Sequence, residues 1–237
     1  MTLDRLSEAV STCKACALGT RGHGVPGRWS DGALSALEHH PECKPPYHGG
    51  MGPCISRCQA GPLVMILGEA PGAVEQERGK PFVGQSGELL HSMLEEVGLT
   101  SYFISNIVKH QPFKDKHGKQ QEPSKVEIKA CAPFLRAEFD LIQPSKLILL
   151  GKTAAKLVKV GNFSMKDVVN TTQSWGFEAT NAMIPVLYLY HPAYFLRQRT
   201  APWIVKQMSD WKRSVRMFMG DRPPTYQIER VRCAVHG

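Results

Sequence analysis

Four short apolar runs, separated by stretches with helical spacing, constrain the fold of this chain more than any other feature. They are Leu63–Leu67, Tyr102–Val108, Leu147–Leu150 and Pro185–Tyr190. Helical patterns lie between them, over Gly87–Val97 (Leu89, Leu90, Met93 and Leu94 on one face, Gly98 as the stop), Ser124–Ile142 and Thr153–Val158. A mainly helical stretch from Ala193 to Met217 follows the last run. Runs this short and this apolar are read as strands buried on both faces. Strand and helix in alternation predict an α/β protein, a three-layer α/β/α fold with a central, mainly parallel four-stranded sheet. Leu3, Leu6 and Val10 add a short amphipathic helix at the start.

Two segments fall outside this pattern. Residues 38–61 are rich in Cys, His, Gly and Pro and are read as an insertion within a single domain spanning 1–237. Residues 221–237 are polar and are expected to form a flexible tail. No run approaches the length of a membrane span, and the first residues, MTLDRLSEAVSTC, lack the apolar core of a signal peptide. An intracellular, cytoplasmic protein is expected. The net charge of +8 and pI near 9.2 favour a polyanionic partner, nucleic acid before an anionic membrane.

In doubly wound sheets ligands sit outside the carboxyl ends of the strands. Here those ends are followed by Gly68-Glu69-Ala70-Pro71-Gly72, by Asn106 and Lys109-His110, by Gly151-Lys152-Thr153, and by His191-Pro192. A carboxylate, an amide and an imidazole would therefore open onto one edge. Gly151-Lys152-Thr153 lacks the earlier glycine of a P-loop, since Lys146 stands in that place, and is read as a plain strand-to-helix turn. Asn106 interrupts an apolar strand, which suits either a structural hydrogen bond or a reader of a base edge. Phe82, in a loop bracketed by glycine and proline, suits an exposed stacking platform. Arg197 lies within reach of a phosphate near the same edge.

Taken together, GEAPGAVEQERGKPFVGQSGELL, YFISNIVKH, LILLGKTAAKLV and HPAYFLR resemble the uracil-DNA glycosylase superfamily, and within it the family 4, iron–sulfur type of bacteria and archaea. The resemblance covers Cys13 to Cys16 and nearly all of 62–217. It implies a monofunctional enzyme that flips uracil out of DNA and hydrolyses its N-glycosidic bond, leaving an abasic site. It implies that Glu69 acts near the sugar C1′ within a water-positioning loop of Gly68, Ala70, Pro71 and Gly72. Phe82 becomes the stacking aromatic, Asn106 the reader of the uracil edge, and His191 the group that supports charge on O2. Lys109, Pro192 and Arg197 are expected to contact DNA, single- or double-stranded, in a monomeric protein.

Seven cysteines in an intracellular chain point to metal or catalysis before disulfides. The resemblance implies a 4Fe–4S cluster on Cys13, Cys16 and Cys131, with His110 where relatives carry a fourth cysteine; imidazole ligates iron in Rieske centres. Cys43, His48, Cys54 and Cys58 of the insertion offer a second site, for zinc, or a substitute ligand to the cluster. Two other functions fit the same residues. One is a glycosylase for a modified pyrimidine, for example in phage DNA. The other is a uracil-DNA binder or crosslinker with little turnover. In crosslinking relatives the reactive histidine lies in the loop that reads KDKHGKQQEPSK here; Gln120 takes its place, and His117 stands three residues earlier.

Overall fold

The computed structural model describes residues 1–33, 63–177 and 182–220. The insertion ligands Cys43, His48, Cys54 and Cys58, and the tail from 221, lie outside the described residues. The sheet has six strands: β1 (Arg28–Trp29), β2 (Val64–Gly68), β3 (Phe103–Asn106), β4 (Lys146–Leu150), β5 (Thr172–Phe177) and β6 (Ala182–Leu189), in the order β1-β3-β2-β4-β6-β5. The four expected strands form its parallel centre. The two edges, β1 and β5, run antiparallel to their neighbours and extend the sheet beyond the four-stranded expectation. Both escaped the sequence pattern for a physical reason. β1 is two residues long, and β5 has no apolar alternation of the usual length, since Gln173, Ser174 and Gly176 interrupt it.

The helices that frame the sheet are α1 (Leu3–Ser11), α2 (Ala73–Arg78), α3 (Gln85–Glu96), α4 (Lys125–Ile142), α5 (Lys152–Ala155), α6 (Met165–Val168), α7 (Pro192–Arg197) and α8 (Ile204–Met219). α2 was hidden in the sequence because it is one and a half turns inside a glycine-rich stretch. The 193–217 pattern is two helices, α7 and α8. Alternate residues of β2 divide the core: Met65 and Leu67 pack with Leu6 and Val10 of α1 and Leu135 and Phe139 of α4, while Val64 and Ile66 pack with Leu90 and Leu94 of α3 and Trp211 and Val215 of α8. Helices thus cover both faces, as a parallel sheet requires.

One polar cluster crosses the first of these cores. The Lys109 ammonium is completely buried; it donates to Glu138 Oε2 (2.7 Å), Ser105 Oγ (2.7 Å) and the Asn106 carbonyl (2.8 Å). Glu138 Oε1 also accepts from the Gly27 N–H (3.1 Å) and Ser105 Oγ (3.0 Å). The expectation that Lys109 contacts DNA is therefore corrected: its charge is spent inside the protein, tying α4 to the end of β3 and to the residue before β1. Removing one partner of such a pair strands a charge in the core and costs about 3–5 kcal/mol. Glu138→Ala is expected to lose about that much in a urea titration, and Lys109→Met combined with Glu138→Leu to recover part of it; a single-variant loss below about 1 kcal/mol would show that the pair carries no such weight.

Candidate active site

β3 and β4 lie on opposite sides of β2, so the chain reverses its direction of winding there, and a crevice opens at the carboxyl ends of β2 and β4. A cavity of about 790 Å³ occupies this edge. Its wall includes Glu69, Ala70, Pro71, Gly72, Phe82, Asn106, His191 and Arg197. The structure thus brings together most of the residues singled out in the sequence. Gly68 stands directly behind them: a Cβ there would lie 2.5 Å from Phe82 Cζ and 2.6 Å from Asn106 Oδ1. Glycine is required because the backbone, the ring and the amide meet at that point. Lys109 and Pro192 are not on the wall. Pro192 is buried at the first position of α7, where a missing N–H costs nothing, so its expected contact with DNA is corrected as well.

Asn106 ends β3 beside Gly68 of β2. It is 2% exposed, and its Oδ1 is buried without a hydrogen-bond partner among the described residues. Buried polar atoms are nearly always paired, so an acceptor left open in a cavity wall marks a place for a ligand donor. His191 caps α7, and its Nδ1 accepts the Ala193 N–H at 3.2 Å. That bond fixes the neutral tautomer with the proton on Nε2. Burial, with the Arg197 charge adding to it, pushes the imidazole pKa down to about 4, so the ring is an uncharged donor at neutral pH.

Glu69 Oε2 accepts the Thr153 hydroxyl at 2.5 Å, joining the turns after β2 and β4 across the crevice. Burial raises the Glu69 pKa; the Thr153 bond opposes this, the Glu122 charge adds to it, and Lys156 and Arg197 lower it. Thr153 is one residue that sequence reasoning missed. Gly151-Lys152-Thr153 is indeed a strand-to-helix turn, with Gly151 at φ +84°, but its hydroxyl serves the site.

Phe82 is 4% exposed, not the open platform expected, because its ring packs over Gly68 and lies 5.7 Å from the His191 ring at an interplanar angle of 27°. Its backbone is left-handed, φ +55°, a strained setting for a phenylalanine. Two supports hold it. His91 Nε2 contacts the Phe82 carbonyl at 3.0 Å, and since a carbonyl only accepts, Nε2 carries the proton and Nδ1 takes the Tyr102 hydroxyl at 2.6 Å. On the other side Glu75, buried on α2, accepts from the N–H groups of Val83 (3.1 Å), Gly84 (2.8 Å) and Gly72 (3.1 Å). Glu75 therefore fastens the Phe82 loop to the Glu69 loop. Nothing in its sequence setting separates it from a surface helical glutamate.

The expected cluster ligands are Cys13, Cys16, His110 and Cys131. Among the described residues no group of three or more His, Cys, Asp or Glu side chains is arranged as a metal site. Yet Cys131 is raised in pKa first by burial and then, in part, by the nearby Cys16 and Cys13, while the Lys109 N–H donates to its sulfur at 3.4 Å. His110 is 1% exposed, and both its ring nitrogens are without partners among the described residues. Its Cε1 would lie 3.1 Å from a Cβ at Gly24, which places the ring against the segment that follows the two cysteines. Burial lowers its pKa, with the Lys14 charge adding, and so favours the neutral, ligating form. A buried neutral imidazole whose ring nitrogens have no partner among the described residues has the chemistry of a metal ligand.

On the hairpin of residues 113–121, Gln120 reaches the cavity wall, whereas His117 is exposed on the turn. No helix among the described residues is long and apolar enough to cross a membrane.

Comparison with known proteins agrees with this geometry. The type-4 uracil-DNA glycosylase of Sulfurisphaera tokodaii is 32% identical over 200 residues, 81% of this chain and 74% of the relative. That of Saccharolobus solfataricus is 33% identical over 68% of this chain and 74% of its own length, and that of Pyrobaculum aerophilum 31% over 66% and 76%. The model of the uracil DNA glycosylase superfamily matches residues 55–214, a span that holds the crevice, the neutral histidine and the open asparagine, and the chain belongs to that superfamily.

Proposed function

We propose that the chain hydrolyses the N-glycosidic bond of uracil in DNA, releasing free uracil and leaving an abasic site. The observation that carries this reading is the open acceptor of Asn106 facing the same cavity as the neutral imidazole of His191. The target nucleotide leaves the duplex or single strand and enters the cavity, where its base is read. Asn106 Oδ1 accepts from uracil N3–H, and the amide nitrogen faces O4; cytosine, with an acceptor at N3, leaves that oxygen unpaired. The C1′–N1 bond breaks with its electron pair going to the base. His191 Nε2–H donates to O2, where the negative charge collects, at no cost in competing cationic charge. Ionised Glu69 orients a water toward the oxocarbenium-like C1′ and offsets its positive charge; the water oxygen bonds to C1′ and its proton passes to solvent. No amine nucleophile lies in this scheme, so the strand is not nicked. Phe82, fixed from both sides, stacks on the base.

A 4Fe–4S cluster on Cys13, Cys16, His110 and Cys131 belongs to the same proposal. Those four residues would hold it, and it would supply a structural crosslink between the segments that carry them, with no redox turnover needed. An intracellular, monomeric protein working on DNA suits this chemistry. The crosslinking alternative is disfavoured by the placement of Gln120, not His117, at the cavity.

The first test is alkali-dependent cleavage of a labelled single-stranded oligonucleotide carrying one uracil. Cleavage only after alkali is expected; release of a modified pyrimidine but not of uracil would overturn the substrate, and an adduct surviving denaturing gels the turnover. The pH profile gives a second test. Glu69 acts as the anion, so the rate falls as pH drops through its raised pKa, above the 4.5 of an ordinary glutamate and above the value near 4 of His191. Thr153→Val removes a bond to the anion, so the acid limb should move to higher pH, and a limb that stays in place would remove Glu69 from that role. Third, His110→Ala should lower iron content and visible absorbance; unchanged values would move the fourth ligand to Cys43, Cys54 or Cys58.

A further inference from the structure

The cavity is far wider than one pyrimidine, and one side of its rim is a separate small hairpin. Residues 113–121 turn back on themselves with a bridge between Lys114 and Gln120. The Asp115 N–H donates to the Lys119 carbonyl (2.8 Å), the Gly118 N–H to the Asp115 carbonyl (2.9 Å), and the Gln121 N–H to the Phe113 carbonyl (2.8 Å). Gly118 takes φ +76°, the left-handed turn position that glycine tolerates. One side-chain atom organises the tip: Asp115 Oδ1 accepts from both the His117 N–H (2.8 Å) and the Lys119 N–H (3.0 Å). At the base the Arg21 guanidinium lies 4.8 Å over the Phe113 ring, fastening the hairpin to the amino-terminal segment.

This ordered turn presents Lys114, Lys116 and Lys119, all exposed, and among the described residues none of the three is in an ion pair. Its one acid, Asp115, is half-buried with Oδ1 engaged by the backbone. Lys119 stands on the cavity wall, which Lys152, Lys166 and Arg197 also line. Like charges held together at a fixed rim, with no ion-pair partner among the described residues, are a site for a polyanion that passes over the mouth.

We propose that hairpin 113–121 is a clamp for a single DNA strand, its lysines binding phosphates of the nucleotides that flank the flipped base, and Asp115 acting as the positioning residue that shapes it. This rests on the glycosylase reading for its ligand but uses none of its catalytic groups. Asp115 makes the idea sharp, because charge and shape predict opposite effects: removing an acid beside phosphate should tighten binding, whereas losing the two backbone bonds should loosen it.

The test is fluorescence anisotropy of a labelled, undamaged single-stranded oligonucleotide over a range of KCl concentrations. Lys116→Ala and Lys119→Ala should each reduce the slope of log K against log salt by about 0.7, the value for one phosphate contact on a single strand. Asp115→Ala should bind about fivefold more weakly despite its lower negative charge. Asp115→Asn keeps Oδ1 as an acceptor and should bind at least as tightly as the original, which also separates shape from general unfolding. Unchanged slopes in both lysine variants, or tighter binding by Asp115→Ala, would overturn the clamp. Because no base is excised, normal slope changes in a chain inactive on uracil would sink the glycosylase reading alone. Normal excision with unchanged slopes would sink the clamp alone.

Discussion

The ion pair between Lys109 and Glu138 sits where the sheet, the long helix and the site meet. Burying two charges is expensive, and the geometry repays it only because every neighbouring atom takes part: Ser105, the Asn106 carbonyl and the Gly27 amide all bond to the pair. The consequence for the site is positional. The last residue of β3 is held by its carbonyl from behind, so its side-chain amide faces the cavity from a fixed backbone. The same lysine donates its N–H to Cys131, and the next residue is His110. The proposed base reader and the proposed cluster therefore hang from neighbouring links of one chain segment.

The Phe82 side of the cavity is organised by hydrogen bonds. A single carboxylate, Glu75, gathers three backbone N–H groups from two loops, and a His91–Tyr102 relay holds the carbonyl of Phe82. Hydrogen bonds to an ionised acceptor are among the stronger ones, and they compensate the unfavourable left-handed backbone of Phe82. Preorganisation of this kind matters for bond cleavage that depends on where charges stand, since little reorganisation is then left for the transition state.

Much of this was legible in the sequence. The four parallel strands announced themselves because strands buried on both faces are continuous apolar runs, and residues at their carboxyl ends, Glu69, Asn106 and His191, could be placed on one edge before any coordinates. Edge strands β1 and β5 were not legible, since one is too short and the other too polar to carry a pattern. Lys109 shows a different limit. A lysine beside a strand end reads as a surface cation unless its partner is known, and Glu138 lies 29 positions away in a helix. Thr153 was invisible for the same reason, since its bond to Glu69 spans 84 positions; Glu75 bonds locally, but to backbone N–H groups, which leave no side-chain pattern in a sequence. Phe82 was found as a residue but misread in its exposure, because a glycine-rich loop packs tightly here, its glycines allowing close approach where openness was expected.

The contrast between the two sides of the cavity bears on how such a pocket changes over evolutionary time. The floor is overdetermined: altering Phe82, Gly68 or Glu75 disturbs several bonds at once, so single replacements there meet a steep loss. The hairpin rim is tied down mainly by its own backbone bonds and one cation–ring contact, and its outward side chains answer to no packing. Drift in strand preference or sequence context is therefore cheap, while drift in the base accepted is not. Divergence among chains of this architecture should accumulate at the mouth and leave the depth of the pocket alone.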